Sequence, residues 1–119
     1  MTLGQLQKKF PEATLTAWHK HPNGLGWVQN TASVAKTAYV GPDALVSDNA
    51  RVFGNAQVHG NAQVHGYATV FGNAKVSDNA QVFGDAWVFG NARVYDNARV
   101  FGNAQVCGNA QVYCGTACP

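Results

Sequence analysis

The chain has 119 residues, enough for one domain with a small core. Only 12% of them are charged, against about 25% in an average domain, and 46% are hydrophobic, which excludes an intrinsically disordered chain. Eight Lys or Arg against six Asp or Glu leave a formal charge of +2, too small for a DNA-coating protein or an acidic mimic, so nucleic acid is not an expected partner.

The N-terminal residues lack the charged-then-apolar pattern of a secretory signal, and no apolar run approaches the ~20 residues of a membrane span. A cytoplasmic protein without a membrane partner is the expectation. Thr2 is placed to cap a short helix reaching Gln7 or Phe10, with Leu3 and Leu6 on one face and Pro11 as its stop. Ala13-Thr14-Leu15-Thr16-Ala17-Trp18 alternates as a strand does, and His21-Pro22-Asn23-Gly24 reads as a turn. Residues 1–27 are therefore expected to form an N-terminal cap of a short helix plus a hairpin. Phe10, Leu15, Trp18 and Trp27 should cover the first valines of the repeat that begins at Val28. Cap and repeat make one domain.

In that repeat, valine recurs every six residues from Val28 to Val112 without a slip, at 15 consecutive positions. An alanine stands two residues before each valine from Ala32 to Ala110, 14 in all. Two residues after the valines from Val52 to Val106 the chain has only Gly or Asp, and three after it has Asn or Asp, with Tyr67 as the exception between Asp43 and Asn109. The unit is Ala-x-Val-x-Gly-Asn. In an extended segment Ala and Val point to one side and the x residues to the other. Gly-Asn is a turn pair, since both tolerate the left-handed region. Each hexamer is thus a minimal strand and a corner, and a strand this short must pair with the one a full turn later. The fold class is all-β, a single-stranded parallel β-helix whose Val and Ala fill the interior. Stacked Asn side chains are expected to hydrogen-bond along the axis.

The Ala-x-Val-x-Gly-Asn unit resembles the bacterial hexapeptide-repeat family, over roughly residues 28–118. That resemblance implies a left-handed helix with triangular coils of three hexapeptides, hence eighteen residues a coil. Residues 28–119 then make about five coils, a prism ~24 Å long at ~4.8 Å per coil. It also implies pairing of faces into a homotrimer. The run His21-Pro22-Asn23-Gly24-Leu25-Gly26-Trp27-Val28 leading into the array is similar to bacterial and bacteriophage proteins, which implies a phage- or prophage-borne inhibitor that sequesters a host defence protein or a nucleotide signal.

Folded by eighteen, the outward positions stack. Phe53, Phe71, Phe89 and Cys107 form one corner column, Ser47, His65, Phe83 and Phe101 a second, and His59, Ser77, Tyr95 and Tyr113 the third. The mid-face columns are Arg51-Thr69-Trp87-Gln105, Gln57-Lys75-Arg93-Gln111 and Gln63-Gln81-Arg99. Phe53, Phe71, Phe89, Trp87, Phe83 and Phe101 are more outward apolar surface than a monomeric solenoid needs, and they are candidate partner-binding residues. The competing reading is stacking that only strengthens coil pairing. Lys75 and Arg93 with Tyr95 suit a protein partner or a nucleotide-like small molecule, the competing reading being a solvated face. Thr69 is the single Thr in these columns, so the flat Thr arrays of ice-binding solenoids are absent.

Enzymatic chemistry has two candidates, His59 and His65. Many hexapeptide-family members are acyltransferases with a histidine general base at a subunit boundary, so the resemblance implies an acetyl-CoA-dependent acyltransferase as the alternative function. The family's zinc-dependent carbonic anhydrases place their histidines closer in sequence. Six residues apart, His59 and His65 fall on different faces, and no insertion breaks the repeat to wall a pocket. A solvated surface is the simpler reading for both, and no cofactor or metal is expected. Cys107, Cys114 and Cys118 do not have zinc spacing. Cys118 falls at the next valine position, and the last coil lacks a cap, which favours end-to-end association. The expected function is a non-catalytic binding or scaffold module.

Overall fold

The computed structural model describes residues 2–113 and, as backbone, 116–117. Its chain winds into three parallel stacks of two- and three-residue strands, about five coils in all. Sheet A runs through Trp27–Gln29, Leu45–Val46, Gln63–Val64, Gln81–Val82, Arg99–Val100 and Thr116–Ala117. Sheets B and C contain five strands each, beginning at Ser33–Val34 and Tyr39–Val40. Neighbours in a stack are eighteen residues apart in register, as in Val58↔Val76↔Val94. The protein is an all-β parallel β-solenoid with one short helix.

The valines and alanines form one axial column. Every valine from Val40 to Val100 and every alanine from Ala38 to Ala98 has no exposed surface. From Asp48 to Gly108 each corner carries one left-handed residue. Gly54 to Gly108 sit at φ of 63–69°, and Asp48, Asp78 and Asp96 take the same conformation at 57–58°. This corrects the expectation that Asn shares the left-handed position, because one such residue is enough to turn the chain. Nor do the Asn side chains form an axial hydrogen-bonded ladder among the described residues. The axial bond at that position is made by backbone, as in Asn73 N–H to Gly90 O at 2.8 Å, so Tyr67 and Asp85 serve equally well. Where Asp replaces Gly, its carboxylate accepts the next coil's amide: Asp48 from Gly66 at 3.0 Å and Asp78 from Asp96 at 3.1 Å.

At the N-terminus, α1 (Leu3–Lys9) begins with a capping box. Thr2 Oγ1 accepts from Gln5 N–H, and Gln5 Oε1 from Thr2 N–H. The expected strand over 13–18 does not form. Thr14 O instead accepts from both Ala17 N–H and Trp18 N–H, and β1 starts at Trp18 (Trp18–Lys20). It pairs antiparallel with β2 (Trp27–Gln29), the first strand of sheet A.

The aromatic cluster does not lie across the end of the valine column. Trp27 is an outward residue paired in register with Leu45, so Trp18, Leu6 and Ala13 bury it against the outer side of sheet A, with Phe10 packed alongside. Leu15 is 69% exposed and covers nothing. Across the first coil runs the 21–26 turn. Gly26 N–H donates to Val40 O, Val40 N–H donates to Asn23 O, and His21 Nε2 and Asn23 Nδ2 both reach Ala38 O. A Cβ on Gly24 or Gly26 would fall 2.2–2.3 Å from a backbone oxygen of Val40 or Gly41, so both must be glycine. At the far end Ala117, not residue 118, pairs with Val100. The repeat shortens by one residue there; Cys114 and Cys118 lie outside the described residues.

Candidate functional site

The three faces of the prism differ in what they present. Sheet A is partly covered by the N-terminal segment, through Trp27 and Leu45. Because the corner after each sheet A strand leads into sheet B, sheet B is bordered by two corner columns, and both are aromatic. On its C-terminal border Phe53, Phe71 and Phe89 stack at 4.9 Å centroid spacing with planes within 7°. Trp87, at mid-face, meets Phe71 and Phe89 edge-on at 5.9 and 6.3 Å. On the other border His65, Phe83 and Phe101 stack at 4.9 and 5.3 Å. Offset-stacked and edge-to-face pairs are worth about 0.5–1.5 kcal/mol each beyond burial, so the columns reinforce coil pairing whatever else they do. Stacking leaves surface over: Phe53 is 42% and Trp87 45% exposed.

Tyr67, 66% exposed, stands at the same corner as His65. Sequence reasoning marked it only as a break in the Asn pattern. That break was itself the signal, since a large ring at a corner exposed to water has no role in the turn. Cys107 continues the Phe89 column as an exposed thiol.

Sheet C is polar. Lys75 and Arg93 are adjacent rungs of one mid-face column, between Gln57 and Gln111. Neither cation is held in an ion pair among the described residues. They line a groove of about 250 Å³ with His59, Ser77, Asp78 and Tyr95. Tyr95 stacks on Tyr113 at 5.7 Å, and its hydroxyl lies 3.4 Å from Gln111 Oε1. The Asp78 carboxylate is turned along the axis onto the Asp96 amide. Sequence reasoning placed Lys75 and Arg93 beside Tyr95 and stacked His59, Ser77 and Tyr95 in one column, but it did not join the two sets or add Asp78.

The two histidines stand at different corners, His59 after sheet C and His65 after sheet A. Burial beside Phe83 holds the His65 imidazole below its ordinary pKa, while the Asp48 carboxylate pulls it back up. Among the described residues no three His, Cys, Asp or Glu side chains gather as a metal site. No described helix is long and apolar enough to cross a membrane.

Two stretches, residues 44–60 and 92–108, match a family model described as the YdcK beta solenoid repeat. Each spans close to one coil. No match was found among curated proteins or among solved structures.

Proposed function

We propose that this β-solenoid is a non-catalytic scaffold that binds protein through the face of sheet B, and that its first partner is a second copy of itself in a closed trimer. The carrying observation is the distribution of aromatic surface. One protomer presents two parallel rails on either side of one face, with Trp87 between them. A ring in which the Phe53–Phe71–Phe89 rail of each copy meets the Phe83–Phe101 rail of the next uses both, and a heterologous contact of that kind must close to avoid open filaments. The resemblance to bacteriophage proteins supports a host defence protein as a further partner for the same rails.

Sedimentation tests the reading. The parent should sediment at three times the 12.6 kDa chain mass. The double variant Phe71→Ser/Phe89→Ser should sediment as a monomer with its β-sheet circular dichroism intact. Trp87→Ser, which removes the mid-face ring and its edge contacts to Phe71 and Phe89, should weaken the trimer. A monomeric parent refutes the closed ring.

One observation favours a second reading, acyl transfer. His65 is half-buried against Phe83 with its pKa lowered, so its imidazole stands ready to accept a proton at neutral pH. Calorimetry with acetyl-CoA decides it, since an acyltransferase must show binding heat that responds to His65→Ala.

A further inference from the structure

Of the rungs in the three corner columns that lie between two rings, one carries no ring itself. After sheet B the rings of Phe53, Phe71 and Phe89 follow one another coil by coil, and after sheet A those of His65, Phe83 and Phe101 do the same. After sheet C the order is His59, Ser77, Tyr95, Tyr113. Only Tyr95 and Tyr113 are in ring contact there. Ser77 keeps the backbone ladder, donating its N–H to Val94 O at 2.9 Å, but supplies no ring. His59 and Tyr95 are therefore two coils apart, roughly 9.6 Å at ~4.8 Å per coil, with a ring missing from the rung between them. The groove lined by His59, Ser77, Tyr95, Lys75, Arg93 and Asp78 is that gap.

We infer that this groove is a binding site for a planar aromatic anion, of which a nucleoside monophosphate is the representative. The ligand's ring takes the place of the absent rung, between the faces of His59 and Tyr95. Its spacing to each matches the 4.9 Å rung spacing that the filled columns show. Its anionic group meets Lys75 and Arg93, two adjacent cations that no carboxylate neutralises among the described residues. Holding two like charges on neighbouring strands is unfavourable without an anion between them, so the ligand relieves a repulsion built into the face. Asp78 lowers the net positive charge of the groove, but its carboxylate is directed at the Asp96 amide. At about 250 Å³ the space suits one ring and its anionic arm, being smaller than the ~300–1,000 Å³ typical of drug-sized pockets. The site lies on sheet C, so it is independent of the protein-binding face of sheet B.

The test is calorimetry of the full chain with the four common nucleoside 5′-monophosphates, then with adenosine and ribose 5-phosphate as half-ligands. At least one monophosphate should bind, and each half-ligand at least about tenfold more weakly, since stacking and a charged contact each contribute about that factor. NMR of the parent should place the ligand-induced shifts at His59, Ser77 and Tyr95. Ser77→Phe fills the rung, so it should abolish binding while raising the melting temperature. Lys75→Gln and Arg93→Gln should each weaken binding about tenfold. Absence of binding by all four monophosphates overturns the site. So do ribose 5-phosphate or adenosine binding as tightly as the intact monophosphate, shifts confined to other faces, or a folded Ser77→Phe that binds as the parent does.

Discussion

Replacing Val76 by Asp puts a carboxyl group in the middle of the axial column. Val76 has no exposed surface and is paired in register with Val58 below and Val94 above. An ionised carboxylate there has no counter-ion in reach, because the column is built of Val and Ala alone. It will take up a proton, and that bounds the energy. Raising an Asp pKa from about 3.9 to 7 or beyond costs up to ~4 kcal/mol at pH 7, at about 1.36 kcal/mol per unit. Loss of the valine methyl groups adds about 2 kcal/mol, and a poorly bonded buried carboxyl another ~1–3 kcal/mol. The sum of roughly 7–9 kcal/mol rivals the whole stability expected of a domain this size, ~6–18 kcal/mol at 0.05–0.15 kcal/mol per residue. The sign of the pH dependence is fixed as well. The folded-state pKa lies above the unfolded one, so the ionisation part, up to ~4 kcal/mol, grows with pH above about 4 and is lost below it, leaving a pH-independent deficit of roughly 3–5 kcal/mol. Urea unfolding at pH 4 and pH 7, followed by circular dichroism and tryptophan fluorescence, measures this, with Val76→Ala as the uncharged reference at a pH-independent deficit of about 2 kcal/mol. An Asp variant whose deficit is small, or does not shrink towards pH 4, shows that Val76 does not face the interior.

At a corner, Gly72 has φ of 69° and an added Cβ would lie 3.0 Å from Gly90 N. Gly72→Ala should therefore lose about 1–2 kcal/mol, whereas Gly72→Asp should lose less, because Asp48 and Asp78 show the carboxylate accepting the next coil's amide; chemical denaturation gives the order. Trp27→Ala should cost about 3–5 kcal/mol, since Trp27 is 2% exposed and joins the N-terminal segment to Leu45, while Leu15→Ser should stay within about 0.5 kcal/mol by thermal melting. The His65 ring should titrate by NMR below 6.5, and Asp48→Asn should lower it further, because the carboxylate that favours the imidazolium is gone. As the folded-state pKa is the lower one, His65 destabilises the fold only as pH falls below the unfolded value of about 6.5; His65→Phe should flatten that acid-side decline.

The sequence by itself determined the repeat, its inward Ala and Val, and, once eighteen residues are taken per coil, every member of the outward columns. Those follow from local rules: alternation in a strand puts Ala and Val on one side, and a strict period leaves no freedom in which residue stacks on which. The stacking of Phe71 on Phe53 and Phe89, and of Arg93 on Lys75, was legible for that reason. Tertiary structure decided what the period does not contain. The left-handed residue proved to be the Gly or Asp alone, because from Asp48 onward one such residue turns each corner. Trp18 and Trp27 went to the outer side of sheet A, because antiparallel pairing of β1 with β2 aligns Trp18 with the outward Gln29, a register set between segments rather than within either. Ala117 took the rung above Val100 one residue early. The column order His59-Ser77-Tyr95-Tyr113 was legible too, but not the groove that Lys75, Arg93 and Asp78 complete around Ser77. That grouping joins a corner column to the mid-face column beside it, and how the two meet is set by the winding of the chain rather than by the period.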